Sequence, residues 1–118
     1  MELFDNTQLA LTAALRGADV RQSVLAGNLA NVDTPGYLRK DVDFQGALQA
    51  ALDAGGDPSS LNFSAQTDAS APVRADGNSV DIDKENAELS ENALEQDALS
   101  RVASTRIDIL KTAMGVSQ

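Results

Sequence analysis

A chain of 118 residues has room for one domain, yet only 3% of it is aromatic and alanine supplies much of its 42% hydrophobic content, so side chains able to fill a thick interior are few. With no cysteine and no histidine it lacks thiol nucleophiles, disulfides, the usual zinc ligands and the commonest acid–base side chain near neutral pH. Its net charge of −9 is spread along the whole length without a basic segment, which disfavours phosphate binding by counterion release and adsorption to anionic lipid. The opening Met1-Glu2-Leu3-Phe4-Asp5 lacks the basic and apolar regions of a cleavable signal, and no stretch nears the roughly 18 apolar residues of a membrane span.

The first 32 residues carry a helical period. Phe4, Gln8, Leu11, Leu15, Ala18, Gln22, Leu25, Leu29 and Val32 alternate steps of four and three, the seam of a coiled coil about 45 Å long. Gly17 and Gly27 each weaken such a helix by about 1 kcal/mol relative to Ala. Gly27 is either tolerated at that cost or kept for the close approach of a partner helix. The helix is predicted to stop near Asp33, because Pro35 pushes Thr34 out of the α region and Gly36 accepts positive φ; Thr34-Pro35-Gly36-Tyr37 reads as a fixed turn.

Beyond the turn, Val42 and Phe44 alternate with charged residues in a weak extended segment, and 44–52 has the pattern of a short helix. From 53 to 78 the apolar signal collapses into Gly55, Gly56, Asp57, Pro58, Ser59 and Ser60, a loop or flexible linker. Within it Asp76-Gly77, between Val73 and Val80, is a candidate turn for a small β-hairpin. The last third is helical again, with Asp83 as its expected N-cap. Glu85, Glu88, Glu91, Glu95 and Asp97 lead and Arg101, Arg106 and Lys111 follow, an order that complements the helix dipole. Leu89, Ala93, Gln96, Leu99, Ala103, Ile107, Leu110 and Met114 form its apolar stripe, and Leu94, Val102 and Ile109 widen it enough for more than one neighbour.

Two helices paired only with each other bury part of each stripe. The isolated chain is therefore expected to be marginal or partly unfolded, and to complete its burial by association. No phosphate loop or nucleophile constellation is present, and the expectation is no catalytic, cofactor or metal site. Asp81-Ile82-Asp83-Lys84-Glu85 has alternating carboxylates but lacks the glycine and later glutamate of an EF-hand loop, so helix capping explains it better. Asp41 and Asp43 read as solvated loop charges and not as a catalytic pair.

The distinctive string is Leu25-Ala26-Gly27-Asn28-Leu29-Ala30-Asn31-Val32-Asp33-Thr34-Pro35-Gly36-Tyr37. It resembles the N-terminal signature shared by flagellar rod and hook axial proteins, in which an Asn-x-x-Asn pair closes a helix before a Thr-Pro-Gly-aromatic turn. Arg39-Lys40-Asp41-Val42-Asp43-Phe44 is similar to the continuation found in the proximal rod members of that family, and 76–85 resembles the opening of their C-terminal helix. The likeness covers about residues 1–50 and 76–116. Many relatives carry Tyr-Gln where this chain has Gln96-Asp97, and the middle is too short for the outer domain of longer axial proteins.

The resemblance implies an all-α, elongated, two-helix, coiled-coil-like subunit: an N-terminal axial helix (1–34), an irregular middle and linker (35–82) and a C-terminal axial helix (83–118). It implies delivery by the flagellar type III export apparatus without a cleaved signal, and assembly in the periplasmic part of the basal body into a hollow, torque-transmitting rod. The implied partners are other rod proteins, the adaptor FliE and the MS ring, with no nucleic acid and no direct membrane insertion. Leu11, Leu15, Leu25, Asn28, Leu29, Asn31, Leu99, Ala103, Ile107, Leu110 and Met114 are the expected subunit-interface residues. Asn28 and Asn31, one helical turn apart, either satisfy the helix end or reach a neighbour. Phe44-Gln45-Gly46-Ala47-Leu48 has the Phe-x-x-x-hydrophobic form of an export signal in such subunits, while packing of Phe44 and Leu48 on one turn accounts for it as well. Sequence physics alone also admits a coiled-coil adaptor or secretion chaperone, which would be a stable discrete dimer.

Overall fold

The computed structural model describes residues 6–115; Phe4, the first residue of the predicted seam, lies outside them. Two long helices dominate an elongated molecule of about 62 × 32 × 15 Å. Helix α1 is Asn6–Ala30 and helix α3 is Ile82–Ala113, and they lie side by side in opposite directions. Between them come strand β1 (Lys40–Asp41), helix α2 (Phe44–Asp53), a single 3-10 turn (Pro58–Ser60) and strand β2 (Gln66–Thr67). The chain is mostly α and elongated, with one very small sheet.

Local chemistry sets each boundary. Asn31 Nδ2 donates to the Gly27 carbonyl at 2.8 Å as α1 ends, and Gly36 then takes φ +77° in the turn before Tyr37. Helix α2 is capped by Asp43, whose carboxylate accepts from Gly46 N at 2.9 Å. The N-cap of α3 is Asp81 and not Asp83: the Asp81 carboxylate accepts from Asp83 N and Lys84 N, and Asp83 itself lies in the first turn. Capping is thus the role of the Asp-x-Asp segment, two residues earlier than expected. At the far end Gly115, at φ +77°, donates to the Thr112 carbonyl and closes α3.

The apolar core lies where the middle of the chain folds back on α1. Ala14, Ala18, Val42 and Phe44 are buried together, with Val20, Val24, Leu48, Phe63 and Leu99 packed around them. Gly17 makes this possible. A Cβ there would stand 2.5 Å from the Phe44 Cβ, so the glycine that weakens α1 is the surface on which α2 begins. Gly27 has nothing within 4 Å of where its Cβ would be, so no close approach within the chain uses it.

The candidate hairpin at Asp76-Gly77 forms as a turn without a ladder. Arg74 N donates to the Asn78 carbonyl at 2.8 Å and Gly77 N to the Arg74 carbonyl at 2.9 Å, with Gly77 at φ +84°. Val73 and Val80 do not continue as strands because their surroundings are committed elsewhere. Ser79 N donates to the Tyr37 carbonyl, and the Arg74 guanidinium takes the Val80 carbonyl at 2.6 Å. The antiparallel pair that does form joins β1 to β2, with Lys40 opposite Thr67 and Asp41 opposite Gln66.

Candidate assembly surface

The inner side of the helical hairpin is held by polar groups. Arg39 sits at its centre with a side chain 2% exposed, donating through Nε to Glu85 at 2.5 Å, through Nη1 to Asp68 at 2.6 Å and through Nη2 to Glu88 at 2.9 Å. Glu85 is fully buried and also accepts from Asn28 Nδ2 at 3.2 Å. Beside it Arg21 bonds Asp41 at 2.7 Å and Glu88 at 3.3 Å. One arginine from the loop thereby joins α3 to the β2 end of the middle segment, and one from α1 joins α3 to β1. Buried charge is tolerated here because the two buried ions, Arg39 and Glu85, are each hydrogen-bonded to an opposite charge.

The electrostatics follow. The Ser70 hydroxyl, then Arg39, hold the Asp68 carboxyl down at about 2. Burial pushes the Asp41 carboxyl up, but the hydrogen bonds from Arg21 and the Val42 N–H and the charges of Arg21 and Arg39 together outweigh it, and the net direction is down. Asp41 is therefore a half-buried ion-pair partner and not the solvated loop charge expected; Asp43 is exposed and caps α2. Among the described residues no group of three or more His, Cys, Asp or Glu is placed to hold a metal ion, and no described helix is long and apolar enough to cross a membrane.

The asparagine pair is used inside the chain. Asn28, fully buried, donates through Nδ2 to the Lys40 carbonyl at 2.7 Å and accepts from Lys40 N at 3.0 Å, pairing with the backbone just as a strand would. Tyr37 OH reaches the same amide at 3.4 Å. Asn31 Oδ1 accepts from the Thr34 hydroxyl at 3.1 Å, and from the other side Asn78 Nδ2 donates to the carbonyls of Asn31, Val32 and Thr34. Thr34, Pro35 and Gly36 stay exposed, and Tyr37 is half-buried.

The remaining candidates divide by depth. Leu25 and Ala103 are buried within the chain; Leu11, Leu15, Leu29, Leu99 and Leu110 are half-buried; Ile107 and Met114 are exposed. The inner line of α3 runs through Glu85, Asn92, Leu99, Ala103 and Arg106, so exposed Ala93 gives way to Asn92, whose amide donates to the Ala18 carbonyl and to Gln22 Oε1, both at 2.8 Å. A stripe chosen by hydropathy passes over these polar seam positions. Phe44 is 2% exposed and Leu48 half-buried, both at the core.

On the opposite side of α3, Leu94, Val102 and Ile109 are 72%, 50% and 62% exposed. They fall at steps of eight and seven, one line along the helix facing away from α1. Helix α3 thus has its inner face bonded to α1 and an outer line of bare aliphatic side chains.

Comparison with known proteins decides the family. Residues 9–37, α1 and the turn after it, match the family profile described as "Flagella basal body rod protein". The flagellar basal body rod protein FlgB of Bacillus subtilis is 34% identical over 125 residues, spanning 97% of each chain. The protein of that name in Aeromonas hydrophila is 34% identical over 86% of this chain and 88% of its own, and that in Escherichia coli 34% over 64% and 68%. The chain belongs to the FlgB family of flagellar basal-body rod proteins. The profile match falls on the stretch in which Asn28, Asn31 and Tyr37 tie the end of α1 to the segments that follow, so the part of this FlgB-family chain that matches the profile is held by intramolecular tethers. Arg39 and Glu85 lie beyond that stretch, and only their places in space connect them to it.

Proposed function

We propose that the chain is a structural, non-enzymatic subunit of the proximal part of the flagellar basal-body rod. It joins other rod and basal-body components through the outer faces of its two long helices, in a hollow tube that carries torque from the motor. The exposed line Leu94, Val102 and Ile109 is the single observation that carries the reading, because three bare aliphatic side chains in line along α3 make a strip that a neighbouring helix can bury. Family membership supplies the setting, and the same setting supports FliE and the MS ring as neighbours and the flagellar export apparatus as the route of delivery.

If 44–48 is read by that apparatus, it is read before folding, since Phe44 closes against Gly17 in the folded chain. The adaptor or chaperone alternative is not favoured, as the relatives are rod proteins.

Val102→Asp tests the proposal, because a carboxylate at a half-exposed site leaves the isolated chain folded but puts a charge into any helix–helix contact made there. Swimming in soft agar should be lost while circular dichroism of the purified variant is unchanged. Normal swimming, with the variant present in isolated basal bodies at ordinary amounts, would remove the outer face of α3 from the assembly.

A further inference from the structure

The small sheet is closed along one edge and open along the other. Both backbone groups of Lys40 bond the Asn28 amide, so they point away from β2, and Lys40 and Thr67 are an opposed pair without hydrogen bonds between them. The N–H and C=O of Thr67 therefore point away from β1, off the free edge of β2. Thr67 is exposed, and neither group has a partner among the described residues. Asn28 completes the β1 edge as a third strand would; the β2 edge is left to bond a strand from outside.

That edge borders a trough of about 440 Å³ between the sheet and α3. Asp41 and Gln66, opposite each other on one face of the sheet, line it from one side, and Glu91 and Glu95 line it from α3. Asp43, the N-cap of α2, lies in it too. Arg21, the cation in the lining, is already bonded to Asp41 and Glu88, while Asp43, Glu91 and Glu95 form no ion pair among the described residues. We propose that β2 takes an extended segment of another protein as a third strand, bonded to the Thr67 N–H and C=O and carrying Lys or Arg at alternate positions over the trough. Residues two apart in a strand share a face, so a Lys-x-Lys spacing turns both cations toward Glu91, Glu95 and Asp43. No two of this chain's nine basic residues are two positions apart, so a second copy does not supply the segment. The occupant is a partner of different sequence, its charge complementary to a chain of net charge −9. The inference does not depend on the burial of Leu94, Val102 and Ile109.

Backbone amide NMR of the full-length chain, titrated with the end-blocked peptide Thr-Lys-Thr-Lys-Thr, reads this contact. Saturable shifts should centre on residues 66–68 and reach 91 and 95, with slowed exchange of the Thr67 N–H. The same peptide N-methylated at both lysines and the central threonine keeps its charge but cannot add as a strand, and should bind at least about tenfold more weakly. Thr67→Pro removes the outward N–H at an edge position where proline is tolerated, so it should weaken binding to a similar degree while the other amide signals keep their places. Glu91→Gln should also weaken it, and Thr-Glu-Thr-Glu-Thr should leave residues 66–68 unshifted. No saturable shift at 66–68 with the basic peptide would overturn the proposal. Equal binding of the methylated peptide, or of the acidic one, would overturn it as well, the first by reducing the contact to charge attraction alone. None of these outcomes bears on whether Val102→Asp blocks swimming, so the two proposals fail separately.

Discussion

Arg39 is the residue on which most of the fold converges, and removing it leaves Glu85 buried without its counter-ion. Breaking a buried pair from one side costs about 3–5 kcal/mol, so Arg39→Ala should unfold the isolated chain at much lower urea. Glu85→Gln, which leaves Arg39 bonded to Asp68 and Glu88, should cost clearly less in the same titration. Asp68 gives a prediction for acid. Its folded-state value of about 2 lies below the ordinary carboxylate value near 3.9, so its contribution is fully present above about pH 4 and disappears as the pH falls toward 2. Acid titration followed by circular dichroism should therefore show a shallower loss of stability over that window in Asp68→Asn, which is already weakened at pH 7. None of this was legible beforehand: Arg39, beside Lys40 in a polar stretch, has the sequence context of a solvated charge, and the carboxylates it hydrogen-bonds lie 29 to 49 residues away.

At the scale of elements, the two glycines of α1 separate packing from propensity. Gly17→Ala adds a Cβ 2.5 Å from that of Phe44, and overpacking of about 1–3 kcal/mol outweighs the gain of about 1 kcal/mol in helix propensity. Gly27→Ala meets nothing and should raise the thermal midpoint of the isolated chain. If a partner helix approaches Gly27 in the rod, the same substitution will impair swimming; if the glycine is merely tolerated, swimming will be normal. Both long helices and α2 were legible, because a 3.6-residue period and the Thr-Pro-Gly turn are local signals. The inner line of α3 was only partly so, since Asn92 and Arg106 occupy seam positions that a hydropathy stripe replaces with Ala93 and Ile107. The short β1–β2 pair and the arrangement of 53–78 were not, because they are held by side-chain amides and guanidinium groups bonding distant carbonyls, which leave no period to read.

The whole molecule joins a small alanine-rich core to a polar seam and leaves its largest aliphatic line outside. A buried Asn92 Oδ1 without a partner adds to the cost of that seam, so the isolated chain should lie at the low end of the usual 5–15 kcal/mol of folding stability. Completion of the outer surface by neighbours is the central claim, and accessibility of Val102 tests it most directly. A single Val102→Cys, in a chain with no other cysteine, should react readily with a maleimide in the purified protein and be strongly protected in isolated basal bodies, while a control cysteine at exposed Asn62 reacts in both. Equal labelling of position 102 before and after assembly would show that α3 keeps its outer face to solvent in the rod, and would contradict the account.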